Sequence, residues 1–75
     1  MKTCSELSAL DLWEMNKVFQ KRGALATKNW QTGWAILKHP RAIVDVTFEP
    51  HCPAEEINEA FEALNELQDE EKETE

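Results

Sequence analysis

Tyrosine is absent from this 75-residue chain, cysteine and glycine occur twice each and proline three times. Each scarcity closes off a class of function. Two cysteines, Cys4 and Cys52, allow at most one bridge, whereas secreted mini-proteins short of a core usually carry about two to four. Reduced thiols are therefore expected. Two glycines leave no room for a Gly-rich phosphate loop or a Gly/Ser linker. No apolar run of about 7–15 residues follows Lys2, and none reaches the roughly 20 that a bilayer span needs. The expectation is a soluble, cytoplasmic protein without a membrane contact. Metal-ligand spacings are missing as well. Cys4, His39, His51 and Cys52 supply ligand types for zinc, but not the paired Cys-x2-Cys or His-x3-His pattern. His51 beside Cys52 could activate a thiolate, although neighbours on an extended chain point apart. Asp45 and Glu49 with a histidine could exchange protons, yet no nucleophile motif or paired-carboxylate signature accompanies them. The reading is a non-enzyme with no cofactor and no metal.

Charge is what the chain has in excess. Ten of its fifteen acidic side chains lie between Pro53 and Glu75, against one base, Lys72. That third carries −9 and residues 1–52 carry +2, which together make the net −7. A split of this size bears on partner choice and association rate rather than on fold. A chain this short forms one domain and hides only about 60% of the surface its unfolded form exposes. A partner or a homodimer would add to its stability.

The first helix is written clearly. Ser8 and Asp11 have capping-box spacing, and Leu7 with Leu12 form a hydrophobic staple. Leu12, Met15 and Phe19 make the buried stripe, with Val18 at its edge. Lys17, Lys21 and Arg22 complement the helix dipole, and Gly23 suits the residue after the end, giving a helix over residues 9–22. Trp13 falls opposite the stripe. Residues 24–37 admit two readings. Thr27 with Trp30, Trp34 and Leu37 spells a short helix; Trp34–Leu37 also reads as a strand that pairs with Arg41–Phe48 across the turn Lys38–Arg41. The hairpin is favoured. In the second strand Val44, Val46 and Phe48 would share one face. Pro53 suits the first position of a second helix, where Glu55 and Glu56 meet the positive end of the dipole. Ile57, Ala60, Phe61, Leu64 and Leu67 form its apolar stripe, and fraying is expected after about residue 68. The predicted architecture is a small single-domain α+β fold over residues 1–68: N-terminal helix, central β-hairpin or short antiparallel sheet, amphipathic acidic C-terminal helix. Residues 69–75 are read as an acidic disordered tail.

These elements carry two candidate partner-binding sites. Trp13, of a residue type enriched in interface hot spots, sits beside Lys17. Glu55, Glu59, Glu62 and Glu66 line the polar side of the second helix and could imitate nucleic-acid phosphates before a basic groove. Trp30 and Trp34 are assigned to the core. The resulting expectation is a protein-interaction module that binds and inhibits a larger assembly, such as a polymerase or nuclease. Small virus-encoded inhibitors and assembly chaperones have a comparable size and charge, which is analogy alone. The alternative is a nucleic-acid-binding regulator, with residues 9–22 and a helix from Thr27 as a helix-turn-helix and the hairpin as a wing. Lys28, Asn29 and Gln31 would then read bases. The net charge opposes this.

Overall fold

The computed structural model describes the backbone of residues 2–73 and the side chains of residues 2–68. A 3-10 turn at Cys4–Glu6 leads into helix α1 (Ala9–Phe19), which tightens into a second 3-10 turn at Gln20–Arg22. Strands β1 (Leu25–Lys28), β2 (Ala35–Lys38) and β3 (Val46–Phe48) follow, and helix α2 (Glu55–Glu73) closes the chain. The sheet is antiparallel in the order β1-β2-β3, with Ala26 opposite Leu37 and Ala35 opposite Phe48. This is the small α+β domain the sequence predicts. Helix α2 runs through Glu73, into the span 69–75 read as a disordered tail, and residues 74 and 75 lie outside the described residues.

Both ends of α1 follow their sequence signals. The Ser8 N–H donates to Asp11 Oδ2 at 3.0 Å and the Asp11 N–H to Ser8 Oγ at 3.1 Å, a reciprocal capping box. At the far end Gly23 adopts a left-handed φ of 76°, while its N–H reaches the Gln20 carbonyl and the Ala24 N–H reaches that of Phe19. Those two bonds make a Schellman motif. Its last turn delivers Phe19 into the core, where the ring lies 4.3 Å from that of Phe61 on α2.

The two helices and one face of the sheet enclose the core. Ala26, Ala35, Leu37 and Phe48 point inward to meet Leu12, Phe19, Ile57 and Phe61, with Met15 and Leu64 packed at the margin. Alternation along the strands puts Leu25, Thr27, Ile36, Lys38 and Thr47 on the opposite face, which no helix covers. The outer edge of β1 is closed by a side chain: Asn16 Nδ2 donates to the Ala26 carbonyl at 2.9 Å and Asn16 Oδ1 accepts the Ala26 N–H at 2.7 Å.

Four sequence expectations need correction. Residues 24–37 contain no helix; they form the β1–β2 hairpin, so the helix-turn-helix alternative has no second helix. Gly33 decides the matter, since its φ of 84° lies outside the helical region and a Cβ there would sit 3.1 Å from Pro50 Cβ. The predicted strand Arg41–Phe48 shrinks to Val46–Phe48, because β2 ends at Lys38 and offers no backbone to pair with residues 41–44. Val44 is consequently exposed rather than on the inner face, as is Ile43. Trp30 and Trp34 lie outside the core at 60% and 41% exposure, since the hairpin turn carries them past the packed rows. Val18, placed at the edge of the first stripe, and Leu67, read as part of the second, also face solvent for about half their area, 54% and 50%.

The chain before α1 is held by its neighbours in space. Thr3 bridges Pro53 in antiparallel fashion, the Cys4 N–H donates to the Cys52 carbonyl at 2.9 Å, and the Ala54 N–H donates to that of Lys2 at 2.9 Å. Lys28 on β1 adds a third strand of support, its ammonium donating to the carbonyls of Ser5 at 2.6 Å and Leu7 at 2.9 Å.

Candidate interaction site

The outward side of α1 is apolar where a solvated helix would be polar. Leu10 and Trp13 are three residues apart, which places them side by side on the helix surface, and both are largely exposed, Trp13 at 56%. Four residues after Trp13, Lys17 lays its ammonium 4.1 Å from the indole centroid. That contact is a cation–π pair worth about 0.5–1 kcal/mol at an exposed site. It sets one cation, Lys17, beside the exposed apolar pair of Leu10 and Trp13. The opposite side of the same helix buries Leu12 and Phe19.

On α2 the four glutamates singled out in the sequence, Glu55, Glu59, Glu62 and Glu66, are all exposed. Steps of four, three and four residues keep them within one narrow stripe, spaced about 4.5–6 Å along the axis. Ile57 and Phe61 fix that stripe outward by taking the opposite side into the core.

Between α1 and the start of α2 lies a cleft of about 260 Å3 whose walls include Leu7, Met15 and Ala54 at the floor and Lys2, Asp11, Glu14, Glu55 and Asn58 at the rim. Lys2 and Asp11 join across it at 2.7 Å. The Lys2 hydrogen bond, with those from Ser8, holds the Asp11 carboxyl down at about 2. The same partner raises the Lys2 ammonium.

The remaining chemistry-bearing residues are committed elsewhere. The ring of His39 is buried, with Nδ1 accepting the Arg41 N–H at 3.1 Å and Nε2 3.0 Å from Asn65 Oδ1. A backbone donor at Nδ1 leaves the ring hydrogen on Nε2, directed at the amide oxygen. His51 instead meets Glu49 at 3.0 Å on the surface. Among the described residues no three of His, Cys, Asp and Glu gather where they could hold a metal ion. Burial, above all, raises the thiols of Cys4 and Cys52, and Glu56 adds to the rise at both.

Of the residues proposed to read bases, Lys28 spends its ammonium on the Ser5 and Leu7 carbonyls and lies 4.7 Å from the Trp30 ring. Asn29 Oδ1 accepts the N–H groups of Gln31 and Thr32 at 2.9 and 3.1 Å and so shapes the hairpin turn. Gln31 stands exposed at the tip. Sequence reasoning missed Leu10 as a neighbour of Trp13 and Asn16 as the cover of a sheet edge. Spacing would have given the first; the second depends on where β1 docks. Among the described residues no helix is long and apolar enough to cross a membrane. Compared with known proteins, the chain matches no family model, no curated protein and no solved structure.

Proposed function

We propose that the protein is a non-enzymatic interaction module that binds a larger macromolecular assembly and inhibits it. The observation carrying this reading is the Leu10–Trp13–Lys17 face: an indole held by a cation–π contact, exposed on a helix whose other side already anchors the core. An aromatic side chain with only two rotatable bonds loses little freedom on docking, while its burial removes a large apolar area from water. The single ammonium of Lys17 beside it suits a partner pocket edged with carboxylates.

The glutamate stripe of α2 supports a more specific form of the proposal. A row of carboxylates every 4.5–6 Å or so presents a line of negative charge to a groove built for a phosphate backbone. A nucleic-acid-handling enzyme such as a polymerase or nuclease has such a groove, and the module would occupy it in place of the nucleic acid.

Capture of a stoichiometric partner by the tagged protein, repeated with Trp13→Ala and with the double change Glu59→Gln and Glu62→Gln, tests both faces. Loss of the partner with Trp13→Ala, at a melting temperature near that of the parent, identifies the anchor. Weakened, less salt-sensitive binding with the double change identifies the stripe. Unaltered capture by both variants would refute the proposal.

A further inference from the structure

We propose that Cys4 and Cys52 form a redox-modification site, closing to an intramolecular disulfide that latches the segment before α1 to the loop before α2. The two thiols are free and 48 positions apart in sequence, and the backbone pairing brings their residues together. Thr3 pairs with Pro53 in an antiparallel bridge, so the next residue on one strand, Cys4, faces the preceding residue on the other, Cys52. The Cys4 N–H···O=C Cys52 bond of 2.9 Å fixes that register. Opposed residues of an antiparallel pair project to the same side, with Cα atoms about 5.5 Å apart at a hydrogen-bonded position. Disulfides take Cα separations of roughly 4.4–6.8 Å, so the pairing brings the two residues within range, and closure needs side-chain rotation with a small approach of the two Cβ atoms. Both side chains belong on the same side here: Cys4 is fully buried in the core and Cys52 packs against that core. A residual charge on Cys52 would also disfavour ionisation of Cys4.

Accessibility orders the chemistry. Cys52 is partly exposed and Cys4 is not, so Cys52 meets an external oxidant first. With a low-molecular-mass disulfide as the oxidant, the Cys52 thiolate attacks one of its sulfurs, forming a mixed disulfide and releasing one thiolate. Cys4, deprotonated, then attacks the Cys52 sulfur and expels the second thiolate. The protein loses two electrons and two protons, and the external disulfide is reduced to two thiols. Attack requires thiolate, and the groups facing the pair set how much there is. Glu56 on α2 and the carboxylate of Glu49 oppose ionisation, while the backbone hydrogen bond at Glu49 favours it at Cys52 and Lys28 on β1 favours it at Cys4. Closure is consequently slow at neutral pH and accelerates by about tenfold per pH unit while the thiols remain mainly protonated.

The experiment equilibrates the folded, full-length protein with oxidised and reduced glutathione at several ratios, then reads intact mass and non-reducing peptide maps. The expected product is a monomer lighter by two hydrogen atoms with Cys4 joined to Cys52, reversed by dithiothreitol, with a melting midpoint higher by roughly 10 °C. Cys52→Ser should leave Cys4 unmodified in the folded protein. Persistent glutathionylation at Cys52 without closure, a covalent dimer, or a lower melting midpoint after oxidation would each overturn the proposal. So would Cys4 reacting as fast in the Cys52→Ser variant as Cys52 does in the parent.

Discussion

Asp11 Oδ2 accepts two donors at once, the Ser8 N–H that starts α1 and the ammonium of Lys2. Because its carboxyl titrates near 2 in the folded chain and near 4 when unfolded, the linkage has a definite sign. Its contribution is present in full above about pH 4 and disappears as pH falls through about 2. The melting curves of the parent and Asp11→Asn should therefore differ at pH 7 and converge below pH 2, which a calorimetric pH series would show. The other half of the capping box is tested without titration: Ser8→Ala should cost about 1 kcal/mol, a fall of about 4–8 °C in melting temperature. Gly33→Ala is more damaging, above about 1 kcal/mol, since it combines a left-handed backbone with a Cβ pressed between Pro50 and Ser5 at 3.1 and 3.3 Å. Urea titration compares these variants directly. Trp13→Ala, by contrast, should leave the urea midpoint nearly unchanged, because the ring lies outside the core.

Among the elements, β1 has an edge whose exposed backbone could recruit another strand. Asn16 occupies that edge at Ala26 with both its donor and its acceptor. Asn16→Ala should destabilise the domain by about 1–3 kcal/mol by leaving an N–H and a carbonyl unpaired, and should speed amide exchange at Ala26 more than elsewhere in the sheet. Elements differ in how much of this was legible. Helix α1 could be read almost residue by residue, because cap, stripe and stop all lie within it. The inward stripe of α2 and the outward glutamates were legible from spacing for the same reason. Where position depends on distant chain, the reading failed. Trp30 and Trp34 matched a helical period that the turn chemistry of Asn29 and Gly33 overrules, and Ile43 and Val44 have strand propensity but no strand beside them. Of the candidate site, exposure of Trp13 followed from helical geometry, whereas the engagement of the Lys28 ammonium by carbonyls more than twenty residues distant could not be read from spacing.

For the molecule as a whole, the weakly positive first two thirds and the strongly acidic last third are separate stretches of chain, so approach to a charged partner should be oriented. Glu59→Gln with Glu62→Gln should lower the association rate and flatten its dependence on ionic strength while leaving dissociation little changed, as stopped-flow measurements with the captured partner would show. Trp13→Ala should act mainly on dissociation. The junction of the segment at Thr3–Ser5 with Lys28, Gly33 and the loop at Pro50–Pro53 has a different consequence, for the order of assembly. Helix α1, its Schellman turn and the β1–β2 hairpin are joined by short-range contacts that form early, whereas Cys4 has no place to go until Pro50–Ala54 exists and has folded back. During synthesis, this segment is thus made well before the residues it must pack against, and waits for them. Until the second half of the chain arrives, an apolar surface at Leu37 and Phe19 stands uncovered, and the fate of the nascent chain turns on how briefly it does so.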